Sequence, residues 1–382
     1  MPRSNPLMAG GNVRIIALAL ALGLGGQAVQ AARIVDPASA RQAVAMPAVK
    51  AQDAELAALA AGNDATTLAA RLEVIARDRT FTDVAQEWLL DRGLHALARI
   101  APTREARASV ARLAARRPTV YTRVDPDHGE RATPLYDAGA TARFVLRNWD
   151  RNAAREVARA ELAAGATAAV DRFSSRGSIH GADPIRAGIA DAFRTAPAGQ
   201  LPAQRAAIVE SLARGHRVDE LALILAERLV DPELFGLVLA SADEPVALAA
   251  VASVSRSLDA QSALDALSSA SRREAIASAA VLEIGRLARN DAAARRFLFD
   301  SVSARDISPS AAAALAALHE PAVSAEIGRR LATAQSEESR RLLVLALRLD
   351  ASPSARAELE RFAKTGRGSA QLQKKVRQWL VR

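Results

Sequence analysis

The sequence predicts an all-α protein, an α-solenoid of stacked antiparallel helix pairs that an irregular insert interrupts near residues 118–140. First, helix-start signals recur between residues 231 and 364, each a polar residue followed by proline: Asp231-Pro232, Glu244-Pro245, Ser308-Pro309, Glu320-Pro321 and Ser352-Pro353. Proline fits a helix start because the N–H that it lacks would have no helical partner there. Second, apolar residues such as Leu342, Leu345 and Leu349 fall at helical spacing. Third, no run of β-branched residues between 231 and 364 alternates with a period of two, so strands are not expected there.

Residues 244–364 divide into four predicted helix pairs. The helices are placed at 244–257 with 260–270, 271–288 with 291–303, 308–319 with 320–334, and 336–349 with 351–364. Ser271 and Glu274 form a capping-box pattern at the start of the second pair. One helix pair of this size cannot bury its own apolar face, so repeats of this length predict that each pair stacks on the next.

The segment 244–254 is rich in alanine, Asp259 lies in the turn that follows it, and leucines recur at helical spacing in residues 260–267. In these features the chain resembles the bacterial HEAT-like repeat family, of an exported type. The resemblance is clearest over 231–364, and it implies HEAT-like helical repeats over 198–382. Most turns between helices lack the glycine that is usual in that family. The resemblance implies a fold and no particular activity.

Residues 1–31 are typical of a Sec-type signal peptide. Arg3 and Arg14 supply positive charge, residues 15–24 are apolar, and Val29-Gln30-Ala31 places small residues before a cleavage site. The apolar run is about half of the ~20 residues that a spanning helix needs. We therefore expect cleavage after Ala31, no transmembrane segment in the mature chain, and a periplasmic or secreted protein.

The part of the chain between residues 32 and 197 is less regular. Residues 32–50 contain prolines and small residues, and we predict a flexible lead-in there. Residues 51–117 are predicted as an N-terminal helical unit, with helices at 51–61, 65–77, 82–99 and 103–116. Residues 118–197 combine the irregular insert with further helices, because prolines and His128-Gly129 concentrate turn signals between 118 and 140.

Five arginines recur at every fourth position of the predicted helix at 141–164: Arg143, Arg147, Arg151, Arg155 and Arg159. Such a row could bind the phosphate or carboxylate groups of a polyanion. It could equally be a solvated helix face that pairs with Asp150, Glu156 and Glu161, and we favour that interpretation.

The C-terminal helix is basic and amphipathic, with an apolar stripe formed by Leu372, Val376, Trp379 and Leu380. A helix of this kind can lie on an anionic membrane surface. It can also cap the end of a solenoid, which supplies the neighbour that the apolar stripe needs. We favour the cap.

Composition limits the chemistry that the chain can carry. The net charge is +9, and residues 1–31 hold two arginines and no acid, so the remainder carries +7. Acids are interspersed among the arginines, which dilutes any patch of one sign. The absence of cysteine excludes disulfides, a lipid-modified cysteine anchor and thiol catalysis.

Two polar stretches within 118–183 are the candidates for chemistry. Asp125, Asp127, His128 and Glu130 have the side chains of metal ligands, but they match neither a His-Glu-x-x-His helix nor a calcium loop. Ser178, His180 and Asp183 contain the residue types of a hydrolase triad without a nucleophile elbow. The lone histidines His95, His216 and His319 are interpreted as surface or capping residues. We therefore assign no catalytic, cofactor-binding or metal-ligating residue and predict no cofactor.

The leading functional hypothesis is a non-enzymatic scaffold of the bacterial cell envelope, because a solenoid offers an extended surface to a protein partner. The alternatives are an envelope hydrolase or metal-dependent enzyme that uses the 118–183 region, and a polyanion-binding protein. Export makes nucleic acid a poor fit as a partner.

Overall fold

The computed structural model describes residues 33–123, 132–176, 183–302 and 308–381, and helix dominates these ranges. The chain divides into two compact units, residues 1–143 and 144–382. The division falls inside helix α6 (Ala138–Ala163), whereas the sequence suggests boundaries after residues 117 and 197. No helix within the described ranges is both long and apolar enough to cross a bilayer.

Helix α4 is the centre of the first unit, which contains α1 (Pro37–Val44), α2 (Pro47–Ala61), α3 (Ala65–Arg77), α4 (Asp83–Leu97) and α5 (Arg104–Leu113). Helix α4 contacts α1, α2 and α3, and α3 also contacts α5. The side chains of Asp64, Thr82 and Thr103 accept backbone N–H bonds at the starts of α3, α4 and α5. The fully buried core includes leucines of α3 and α4: Leu68, Leu72, Leu89, Leu90 and Leu94.

A small sheet accompanies these helices where the sequence predicts an irregular insert. Strand β1 (Arg33–Ile34) pairs in parallel with β2 (Val120–Arg123), which pairs antiparallel with β3 (Ala132–Pro134). Residues 124–131 lie outside the described ranges. Val120 is fully buried and packs with Ala40 and Val84, so β2 is joined to the helical core at its first residue.

Residues 37–50 differ from the flexible lead-in that we predict for 32–50, because they fold into α1 and the start of α2. Asp36 caps α1 by accepting the Ser39 N–H at 3.0 Å, and Pro37 takes the first helical position. Pro47 likewise begins α2. The Asp-Pro pair is the same signal that locates a helix start at residues 231–232.

The second unit continues from α6 with a succession of short helices. They are α7 (Ala168–Ser174), α8 (Pro184–Thr195), α9 (Pro202–Ala213), α10 (Asp219–Leu229), α11 (Pro232–Ser241), α12 (Glu244–Ser257), α13 (Ala260–Ala270), α14 (Glu274–Leu287), α15 (Ala292–Ser301), α16 (Ser308–Ala316), α17 (Pro321–Thr333), α18 (Glu337–Asp350), α19 (Pro353–Thr365) and α20 (Ala370–Val381). A 3-10 turn at Ala198–Gln200 precedes α9.

These helices stack in two layers, which confirms the predicted all-α solenoid. In one layer α8, α10, α12, α14, α16 and α18 contact one another in that order. In the other, α7 contacts α9, α11 contacts α13, and α17 contacts α19. A single hydrophobic core runs from Ala158 to Val376. Small residues permit close approach: a Cβ on Gly285 of α14 would lie 2.8 Å from the Ala314 Cβ of α16.

The four predicted helix pairs correspond to α12 with α13, α14 with α15, α16 with α17, and α18 with α19. The observed ends differ from the predicted ends by a few residues. The capping box that we predict at Ser271 and Glu274 does not form. Ser271 is instead the C-cap of α13, where its hydroxyl donates to the Ser268 carbonyl at 2.7 Å, and α14 is preceded by Arg273.

Candidate functional site

Arginine side chains donate hydrogen bonds to the carbonyls at the C-terminal ends of several helices in the described ranges. The last carbonyls of a helix have no partner in that helix, and they carry the negative end of its dipole. Guanidinium groups from other helices or from turns donate to them: Arg116 to Ala76 (3.1 Å), Arg228 to Ala196 (2.6 Å), Arg273 to Leu239 (2.9 Å) and Ala242 (2.6 Å), Arg295 to Ala288 (2.5 Å), Arg340 to Ala334 (2.6 Å) and Arg356 to Leu380 (2.6 Å). Arginine thus takes the place of the glycine caps that these turns lack.

The predicted arginine row on α6 does not form a continuous stripe of free charge. Arg143 donates to the Ala114 carbonyl at 2.7 Å, at the end of α5. Arg151 pairs with Asp191 of α8 at 2.5 Å, while Arg155 and Arg159 lie 3.2 and 3.5 Å from Glu156. These contacts agree with the interpretation that this helix face is solvated and that its arginines pair with groups of the same chain. Polyanion binding stays a hypothesis.

The candidate metal and hydrolase residues lie mostly outside the described ranges. These are Asp125, Asp127, His128, Glu130, Ser178 and His180. Asp183 is described, and it acts as the N-cap of α8: its carboxylate accepts the Ile185 N–H at 2.8 Å and lies 3.5 Å from Arg176. Within the described ranges, no three or more His, Asp or Glu side chains group as a metal ion would require.

The three predicted surface histidines of the described ranges are exposed. His95 Nδ1 lies 2.8 Å from the Asp91 carbonyl one turn earlier. His216 is exposed in the turn after α9. His319 is exposed in the turn before α17, with a left-handed φ of 52°.

A serine–aspartate–histidine cluster in the second unit escaped the sequence analysis. Asp350 is buried at the end of α18, and its two carboxylate oxygens contact His319 Nδ1 at 3.0 Å and the Ser324 hydroxyl at 2.7 Å. The serine and the histidine both bind the carboxylate and do not contact each other, so the cluster lacks the serine–imidazole bond of a triad. It ties α18 to the start of α17. No short motif reveals it, because 26 residues separate Ser324 from Asp350.

A buried carboxyl group occurs in the first unit at Glu87 of α4, which is 1% exposed. One carboxylate oxygen lies 3.4 Å from Arg116 Nη2, and the other has no hydrogen-bond partner among the described residues. Burial raises the pKa of Glu87, although the Arg116 charge and the Ala138 N–H favour ionisation. The folded state therefore favours the protonated form of Glu87 more than the unfolded chain does.

We expect Glu87→Gln to change the pH dependence of stability. A carboxyl group whose pKa is raised by folding destabilises the folded state as pH rises from its ordinary value of 4.5 through the folded-state pKa. The variant should match the wild type near pH 4 and exceed it at pH 7 by about 1 kcal/mol, the scale of a buried polar atom without a partner. Urea titrations at both pH values measure this, with the exposed Glu105→Gln as the control. A wild-type advantage at pH 7 would show that the Arg116 pair outweighs burial.

The second unit contains a cleft where three helices of one layer meet, which we call the α8–α10–α12 cleft. It encloses about 310 Å³ and is lined by Asp183, Arg186, Ala187, Arg194, Glu220, Leu223, Pro245, Val246 and Ala249. That volume lies at the lower end of the ~300–1,000 Å³ typical of ligand pockets. Leu223 and Val246 form the most buried apolar part of its wall, and charged side chains form the rest.

Two of the four charged residues that line the cleft, Arg194 and Glu220, belong to one ion-pair network. Arg194 of α8 lies 2.7 Å from Glu220 of α10 and 3.3 Å from Asp191, which also binds Arg151 of α6. Burial raises the pKa of Asp191, but the Arg151 hydrogen bond and charge outweigh it and hold that pKa below its ordinary value. The ion pairs of the network link α8 to α6 and to α10.

Arg186 differs from the other charged residues that line the cleft, because no carboxylate of the described residues forms an ion pair with it. It is 9% exposed, its guanidinium stacks 3.6 Å from the centroid of the Phe173 ring, and it donates to the carbonyls of Phe173 (2.8 Å), Arg176 (3.2 Å) and Arg217 (3.1 Å). Burial lowers the pKa of Arg186 from its ordinary value, against the more distant charges of Glu220, Asp183 and Asp219. No motif in the sequence marks Arg186 as a residue of this cleft.

Comparisons with known protein families, with curated proteins and with solved structures find no match for this chain. Its fold is nevertheless plain. The chain is a helical-repeat-like, all-α protein.

Proposed function

We propose that this chain is a non-enzymatic binding protein of the bacterial cell envelope, built from HEAT-like repeats and exported by the signal peptide at residues 1–31. The observation that carries the proposal is the α8–α10–α12 cleft. It combines apolar wall residues with charged groups that their neighbours hold in place, and it lies on a layer of helices that continues to α18.

The electrostatics of the chain support protein binding better than polyanion binding. Several arginines that could attract a polyanion instead donate to helix ends or pair with carboxylates, as Arg143, Arg151 and Arg273 do. A surface on which charges of both signs are fixed favours a partner with a complementary pattern. His95 contacts the Asp91 carbonyl and His319 contacts the Asp350 carboxylate, and neither contact places the imidazole against a nucleophile.

A binding assay with the mature chain, residues 32–382, tests the proposal. We expect affinity capture from envelope extract to recover one protein in stoichiometric amount, and the purified pair to co-elute in size-exclusion chromatography at 150 mM and at 500 mM salt. Binding through polyanion contacts would instead weaken steeply with salt. Absence of a co-eluting partner at both salt concentrations would contradict the proposal.

Export is tested separately. We expect the protein in the periplasmic or extracellular fraction, and sequencing of its mature N-terminus should begin at Ala32, directly after the proposed cleavage site. Replacing Leu20 within the apolar run by Arg should retain the chain in the cytoplasm. A cytoplasmic wild-type protein that still starts at Met1 would contradict export.

A further inference from the structure

We propose that the α8–α10–α12 cleft binds the carboxyl-terminal end of a partner polypeptide, with Arg186 receiving the terminal carboxylate and the apolar wall receiving the last side chain. This inference rests on the proposed binding function and specifies the chemistry of the partner.

The donors on Arg186 leave room for a carboxylate. A guanidinium carries five N–H groups in a rigid fork. Three donate to the carbonyls of Phe173, Arg176 and Arg217, two through Nη1 and one through Nη2. The Nε–H and one Nη2–H donate to no described residue. Nε and Nη2 are neighbouring donors of the fork, the arrangement that binds a carboxylate with two hydrogen bonds.

Charge balance also favours an anionic ligand at this point. Asp183 is engaged by Arg176, and Glu220 by Arg194, so the acids that line the cleft already have cationic partners. Arg186 is the cation of this cleft that forms no ion pair with a described carboxylate. A buried charge without a counter-ion is costly, and a ligand carboxylate would supply the missing partner. The Phe173 ring and the three carbonyls hold the guanidinium in place, so the site is formed before the ligand arrives.

The remaining wall suits an apolar side chain rather than a second charge. Leu223 of α10 and Val246 of α12 are 9% and 8% exposed, and Pro245, Ala249 and Ala187 complete this side of the cleft. A volume of about 310 Å³ accommodates a small part of a ligand, such as the end of a peptide. One cation without a carboxylate partner, next to this apolar side of the cleft, matches a chain end with an apolar final residue.

The test uses mature wild-type protein and a random decapeptide pool that is synthesised once with free carboxyl ends and once with carboxamide ends. Ala249→Trp places a bulky side chain in the cleft and leaves the Arg186 residue itself unaltered. Ala252→Trp is the matched control, because Ala252 is exposed on the same helix and does not line the cleft. Thermal melts of both variants verify folding. Retained peptides are identified and resynthesised in both forms, and their affinities are measured by fluorescence anisotropy.

We expect the wild type to enrich peptides with free carboxyl ends and apolar last residues, and to bind the carboxamide forms at least tenfold more weakly. Ala249→Trp should weaken binding at least tenfold, and Ala252→Trp should leave it unchanged. Equal affinity for acid and amide, no enrichment from either pool, or full binding by Ala249→Trp would overturn the inference. If the wild type and Ala249→Trp capture the same envelope protein equally well, the binding function stands and this cleft is not its site.

Discussion

Gly188→Ala is expected to lower the free energy of unfolding by about 3 kcal/mol, at the upper end of the cost of overpacking. Gly188 lies in α8 where that helix crosses α6, and a Cβ there would lie 2.1 Å from the Arg151 carbonyl oxygen and 3.0 Å from the Ala154 Cβ. The obstacle is backbone, so no side-chain rotation relieves it. The two helices would have to separate, which would also lengthen the bond from Arg151 to Asp191.

Gly236→Ala is the matched control for that prediction. Gly236 lies within α11, and a Cβ there would meet no atom within 4 Å. Alanine in a helix is favoured over glycine by about 1 kcal/mol, so this variant should be slightly more stable than the wild type. Urea unfolding followed by circular dichroism measures both variants. A Gly188→Ala protein as stable as the Gly236→Ala protein would contradict the described crossing of α6 and α8.

Arg273→Ala is expected to cost about 2 kcal/mol, because it removes two charge-assisted hydrogen bonds from the end of α11. The loss leaves the carbonyls of Leu239 and Ala242 without their described side-chain donor, and it removes a positive charge from the negative end of the helix. Arg273→Lys should lie between the two proteins, since an ammonium group lacks the fork that reaches both oxygens.

The neighbouring residue provides the control for the arginine prediction. Arg272 is exposed and makes no such contact among the described residues, so Arg272→Ala should change stability by less than about 0.5 kcal/mol. Thermal unfolding of the three variants beside the wild type is the measurement. Equal effects of Arg272→Ala and Arg273→Ala would indicate that net charge, and not capping, determines the outcome.

The sequence predicts the helices of the second unit well because their start signals are local. Asp231, Asp259 and Ser352 each cap the helix that follows within three residues, and the apolar spacing between them is regular. The same local signal is present at Asp36-Pro37. We predict a flexible segment there because small residues are abundant around it. Short strands such as β1, with two residues, offer no periodicity to detect.

The candidate site was beyond sequence reasoning because its residues are brought together only by stacking. Arg186, Leu223 and Val246 belong to three helices and carry no shared motif. The capping arginines are equally inconspicuous: Arg273 contacts carbonyls 31 and 34 residues away, and the sequence shows only one basic residue among many. The composition shows that arginine is abundant. Only the structure shows that these side chains lie at helix ends, where they act as caps.

We infer that arginine caps between adjacent helices stabilise this stack. Hydrogen exchange, measured on the wild type and on Arg273→Ala, tests this inference most directly. Helix α11 contacts α10, α12 and α13. We predict that loss of the cap accelerates exchange in α10 to α14 and leaves α2 to α4 and α18 to α20 unchanged, as expected for a stack stabilised by nearest neighbours. Uniform acceleration along the whole chain, or no change at α11, would contradict this account.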